Sequence, residues 1–194
     1  MPFPEKGRAP YHFGGYWMSV SRETMLAKLH DAYTVYFDDV QASAPVPHLA
    51  ACYDFHSTNE CFVISKKVKL WSAETNEYVH VFSLPHLDVQ TYEACRDHAL
   101  ELGMAKVRPH LDHKSSFITA VFVCDSVSEE AAKALAKTRI HKDFLFSLKG
   151  WMDFRAVAVE LSSGNAFANG AARDMKEFML GNLAKCSSIQ EETN

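Results

Sequence analysis

No stretch of this 194-residue chain approaches the ~20 consecutive apolar residues that span a bilayer, and the N-terminal residues 1–8 lack the apolar core of a secretory signal. The five cysteines (Cys52, Cys61, Cys95, Cys124 and Cys186) are odd in number and form no Cys-x-x-Cys pair. Neither a disulfide framework nor a zinc ribbon is indicated, and a reducing cytoplasm is the expected location. There is no basic excess: 20 Lys and Arg stand against 24 Asp and Glu, for a net charge of −4. The densest basic run, Lys66, Lys67 and Lys69, would be divided between two faces by strand alternation. Phosphate contacts dominate nucleic-acid affinity, so nucleic acid is not the expected partner. A small neutral or acidic ligand stays open. Also missing are Gly-x-Gly-x-x-Gly, a Walker loop and a Gly-x-Ser-x-Gly elbow, together with internal repeats and low-complexity segments.

What is present is ordinary for a globular domain: 47% hydrophobic and 23% charged residues. A chain of this length can bury roughly 70% of its unfolded surface in one core without staples. The expected organisation is an N-terminal arm at 1–20, one domain at 21–186 and a polar tail at 187–194. Apolar residues Met25, Leu26, Leu29, Ala32, Tyr33 and Tyr36 recur at helical spacing behind Ser21, a good N-cap. Residues 48–55, 61–71 and 78–84 alternate as strands, and the polar links 56–60 and 72–77 suggest an antiparallel meander. A second helix at 88–102 opens on Asp88 and stops at Gly103. Residues 117–124 are apolar on both faces, as a central strand covered on both sides would be. Ser126 and Glu129 form the pattern of a capping box for an alanine-rich helix reaching Thr138. Strands at 143–148 and 151–161 joined at Lys149-Gly150, then a helix at 170–185 with Met175, Phe178, Met179 and Leu183 inward, complete the order α-βββ-α-β-α-ββ-α. The fold class is α+β: one mixed sheet, an antiparallel meander plus a βαβ-hairpin half, with helices packed on it.

Two clusters carry chemistry. His110, Asp112 and His113 fall within four residues of the loop that feeds the central strand. Imidazole and carboxylate are ligand types that zinc, manganese and iron accept. A parallel βαβ unit would return the chain to the same sheet end and bring His141 to them, making a divalent-metal patch. Otherwise these are loop histidines bonded to backbone or water. The second cluster is Trp151, Asp153 and Arg155, either a salt bridge at a sheet edge or a ligand clamp, because Arg grips carboxylate or phosphate bidentately. The same topology would put it roughly 20 Å from His113, at the far end of strands that rise ~3.3 Å per residue. The element order is also analogous to a divalent-metal nuclease core. Asp54 could be its first carboxylate, but no Glu-x-Lys follows.

Residues 109–124 (Pro-His-Leu-Asp-His-Lys-Ser-Ser-Phe-Ile-Thr-Ala-Val-Phe-Val-Cys) and 147–164, with Lys-Gly-Trp-Met-Asp-Phe-Arg-Ala-Val-Ala-Val-Glu-Leu, resemble an uncharacterised group of bacterial single-domain proteins. The resemblance implies a bacterial cytoplasmic origin and carries no established activity. With no cofactor signature evident, the expected function is non-enzymatic binding of a ligand or partner, a homodimer included. The alternative is a metal-assisted hydrolase, nuclease-like chemistry among its forms, in which metal-bound water would be the nucleophile.

Overall fold

The structure is a computed structural model that describes residues 20–42, 45–63 and 68–192. The proposed N-terminal arm lies almost wholly outside them.

Helix α1 (Arg22–Tyr33) begins where expected: the Ser21 side chain accepts the Thr24 N–H, and Met25, Leu29 and Tyr33 are buried. A short edge strand, β1 (Asp38–Val40), follows. Two long strands then replace the anticipated three, β2 (Leu49–Val63) and β3 (Val68–Leu87). The polar stretches read as links lie inside the ladder, where His56 faces Asn76, Ser57 faces Thr75 and Thr58 faces Glu74. Polar side chains paired with polar side chains keep a strand intact as well as apolar ones do. Residues 64–67, part of the strand expected at 61–71, are outside the described residues.

Helix α2 (Val89–Lys106) is capped by Asp88 and runs past Gly103. That glycine is a packing residue, not a stop: a Cβ there would lie 2.7 Å from the Ile118 side chain. Strand β4 (His113–Val127) is longer than its apolar run, so Ser128, two residues after Ser126, caps helix α3 (Glu129–Lys137) through the Ala131 N–H. Next come β5 (His141–Asp143), β6 (Trp151–Glu160) and β7 (Asn165–Ala168). Helix α4 (Arg173–Glu192) continues beyond Cys186, where the tail was expected to begin.

All seven strands form one mixed sheet in the order β1-β2-β3-β4-β6-β5, with β7 also against β6. Strand β4 is central and parallel to both β3 and β6. Its side chains alternate between two apolar layers. Val121 and Val123 meet α1 and α4 through Met25, Leu29, Met175 and Met179. Ile118, Ala120, Phe122 and Cys124 meet α2 and α3 through Tyr92, Cys95, Ala131 and Leu135. Full burial of one such Val, Leu, Ile, Phe or Met side chain is worth about 1.5–3 kcal/mol, so double coverage makes β4 the element to which everything else is registered. Among the described residues no helix is long and apolar enough to cross a membrane.

Candidate functional site

The histidine loop sits at the start of β4, on the α2/α3 side of the sheet. His113 is 3% exposed and both ring nitrogens are occupied. Nδ1 donates to the Lys149 carbonyl at 2.7 Å, and Nε2 lies 2.8 Å from the Ser116 hydroxyl. Gly150, at φ +77°, is pressed against this ring and its backbone. His113 therefore pins the 144–150 loop to the sheet. His110 is equally engaged: Nδ1 accepts the Asp112 N–H at 3.3 Å, so Nε2 donates to Glu74 at 3.0 Å. The chain continues from Asn76 Nδ2 to Glu74 at 2.7 Å, and from His56 Nδ1 to the Asn76 carbonyl oxygen at 2.7 Å. The Asn76 bond, with His110 behind it, holds the Glu74 carboxyl below its usual range against the opposing effect of burial.

His141 does not join this cluster. The crossover through α3 does return the chain to the expected sheet end, but β5 pairs with β6, where His141 stands opposite Asp153. Paired residues share a face, and Asp153 lies on the α1/α4 side with Val157 and Val159, whereas Ser116 lies on the other side with Ile118 and Phe122. His141 Nδ1 is 2.6 Å from Asp153 and Nε2 is 3.2 Å from Asp143. Two carboxylates can only accept, so this arrangement favours the doubly protonated ring, in which both nitrogens donate. Its pKa is raised first by the Asp153 bond, against some desolvation, with Asp143 adding to it. Ser147 in turn donates to Asp143 and draws that carboxyl down. The expected convergence of His110, Asp112 and His113 with His141 is thus corrected by strand register. Among the described residues no group of three or more His, Cys, Asp or Glu is arranged to hold a metal ion.

Trp151, Asp153 and Arg155 are likewise not 20 Å away. Residues 144–148 form a loop, with Leu145, Phe146 and Ser147 all at left-handed φ, rather than a strand. The strand that follows the α3 crossover parallel to β4 is β6, and Trp151 faces Ser115 at the same sheet end as His113. Asp153 and Arg155 do not pair with each other either. Asp153 serves His141, and Arg155 reaches across β4 to Glu77 of β3, with Nη1 3.6 Å from Oε1.

These residues belong to a patch on the α1/α4 face, beyond the apolar cluster those helices cover. One register row carries Phe55, Glu77, Phe117, Asp153 and His141, and the row beside it Tyr53, Val79, Thr119 and Arg155. The Arg155 guanidinium lies 3.8 Å above the Phe117 ring. Phe117 meets Trp151 edge to face at 5.4 Å, and Trp151 lies against the His141 ring. Glu77 accepts a 2.6 Å bond from buried Thr119. The Arg155 and Glu77 side chains are 19% and 16% exposed, and buried Arg155 Nε has no hydrogen-bond partner among the described residues. The hydroxyl of buried Tyr33, stacked 4.9 Å from Tyr53, has none either. Burial above all, then the charge of Glu77, drives the Tyr33 pKa upward, so this hydroxyl stays protonated. Glu77, Thr119 and Tyr33 were not foreseen. Glu77 looked like a turn residue, and only strand pairing sets it beside Arg155.

Elsewhere, Asp54 is held by Lys106 at 2.7 Å on the opposite face. Burial, then Lys106, pushes His80 down to about 4, so this buried ring is neutral. A cleft of about 360 Å³ between α1 and the β1–β2 edge includes His30, Asp39 and Cys52 in its lining, but burial raises the Cys52 thiol pKa and leaves it a poor nucleophile.

Comparison with curated proteins and with solved structures finds no match to the chain. One family model does match, over residues 21–180, the span from the α1 cap into α4 that contains both clusters and the whole sheet. The chain therefore belongs to the family described as a domain of unknown function, DUF8052.

Proposed function

We propose that this protein is a non-enzymatic ligand-binding domain of the bacterial cytoplasm, and that its site is the Arg155–Glu77 patch with its surrounding rings. The observation that carries the reading is the incompletely satisfied guanidinium of Arg155, half-buried on Phe117 with an unpartnered Nε. A buried donor without an acceptor costs about 1–3 kcal/mol, and the Arg155 side chain stays 19% exposed, which is where its other N–H groups would meet an oxygen-bearing ligand. The net charge of −4 favours a small ligand over nucleic acid. Binding is favoured over catalysis because the nitrogens of His110, His113 and His141 are committed to internal partners. The described cysteines are buried free thiols, in keeping with a reducing compartment.

The test is a thermal-shift screen of small polar metabolites on wild type and Arg155→Met. A ligand at about 100 times its Kd stabilises by about 2.7 kcal/mol, and the expected result is a hit set whose shifts vanish in the variant. Hits that stabilise both proteins equally would place the site elsewhere.

A further inference from the structure

We infer that the patch takes a zwitterionic α-amino acid with an apolar, flat side chain; this rests on the site proposed above and names its ligand class. The argument begins with charge. Arg155 and Glu77 form a net-neutral pair, and nearby His141 is already held between Asp153 and Asp143, so that triad offers no free cation. A simple anion drawn to Arg155 meets Glu77, and a simple cation drawn to Glu77 meets Arg155. A ligand that carries both signs on one carbon can lie antiparallel to the pair, its carboxylate on the guanidinium and its ammonium on the Glu77 carboxylate.

The pair has hydrogen-bonding capacity to spare for such an exchange. At 3.6 Å the Nη1–Oε1 contact is longer than a hydrogen bond, so the pair attracts without saturating its donors and acceptors. Glu77 Oε1 takes one bond from Thr119, and a carboxylate accepts at about four lone-pair sites. Arg155 has five N–H donors; Nε is buried and unserved, so the ligand carboxylate would engage the Nη groups of the 19% exposed side chain. Charge-assisted bonds are roughly twice as strong as neutral ones, and the phenyl ring under the guanidinium excludes water from one side. The apolar part of the ligand has aromatic neighbours in the same rows: Phe117 and Trp151 edge to face, with Phe55 in register beyond Glu77. Edge-to-face and offset aromatic pairs add stabilisation beyond area burial, which points to a flat side chain.

The experiment uses the full chain and three probes that share one side chain. They are L-phenylalanine, N-acetyl-L-phenylalanine (carboxylate only) and L-phenylalaninamide (ammonium only). Binding is read from the Trp151 indole N–H resonance, identified by Trp151→Phe, and from calorimetry. L-phenylalanine is expected to move that resonance and to bind at least about tenfold more tightly than either blocked analogue. Arg155→Lys, which keeps the charge and loses the fork, should weaken it several-fold. Glu77→Gln should abolish the preference for the zwitterion over the N-acetyl compound, a change of selectivity that loss of fold would not produce. Blocked analogues that bind as tightly as L-phenylalanine at Trp151 would overturn the zwitterion reading and leave the binding site standing. No response to any of the three at millimolar concentration would also overturn it. The Arg155-dependence of the metabolite screen then decides separately whether the patch is a site.

Discussion

Replacing Gly150 with alanine tests how the loop before β6 is held. At φ +77° an added Cβ would lie 2.5 Å from both His113 Nδ1 and the His113 carbonyl oxygen, and 2.7 Å from the Lys114 carbonyl oxygen. Two of those atoms are backbone of the central strand, so the loop must move away. The left-handed conformation costs an L-residue roughly 1–2 kcal/mol. Moving the loop stretches the 2.7 Å bond from His113 to Lys149, at about 0.5–1.5 kcal/mol for such a bond, and more if a buried partner is left unpaired. The expected loss is about 1.5–3.5 kcal/mol, a large share of a typical 5–15 kcal/mol stability. Gly164 supplies the control. It is also left-handed, at φ +68°, yet nothing lies within 4 Å of its added Cβ, so Gly164→Ala should cost only the conformational part, roughly 1–2 kcal/mol. Urea unfolding of both variants at equal m-value measures the difference. Equal destabilisation would refute the view that His113 and the loop are locked together, and a Gly150→Ala loss under about 1 kcal/mol would refute even the strained turn.

Three further outcomes follow from the same geometry. The pKa of His141 is raised by its two carboxylates, so its stabilising contribution is complete below the ordinary histidine value of about 6.5 and fades as pH rises through the raised value. Wild type should therefore lose stability relative to His141→Gln in urea titrations carried upward from pH ~6, and a constant difference across that range would show the triad to be inert. Zinc or manganese uptake by untagged protein should be the same for wild type and His110→Ala, because that ring already serves Glu74 and the Asp112 N–H. Uptake abolished by the substitution would restore the loop as a metal site. Gly103→Ala should cost about 1–3 kcal/mol by overpacking against Ile118 and be partly offset in combination with Ile118→Ala, which removes all three contacting carbons; additive losses in the double variant would contradict direct contact.

Much of the architecture follows from local patterns. The cap at Ser21, the cap at Asp88 and the doubly apolar run at 117–124 each read a physical requirement that acts within a few residues, and each is where the structure has it. Patterns failed where neighbours distant in sequence overrode them. Glu77 and Asn76 look like a turn because polar residues are common in turns, and only a partner strand presenting Phe55 and His56 makes them ladder residues. Gly103 resembles a stop until Ile118 occupies the space its missing Cβ leaves. The loop at 144–148 has the composition of a strand, but its left-handed residues and the His113–Lys149 bond turn it back on itself.

The candidate site divides in the same way. The sequence by itself determined that Trp151, Asp153 and Arg155 share the β6 strand segment, with Asp153 and Arg155 on one face, and that the histidines lie near one sheet end, because alternation and a βαβ return are properties of the chain. Which charges meet was decided only by tertiary structure. A strand places its side chains on a face with period two, but the identity of the residue across the ladder depends on strand order and register, which no single segment encodes. Register sets Asp153 against His141 and separates His141 from His113, and strand order brings Arg155 across β4 to Glu77.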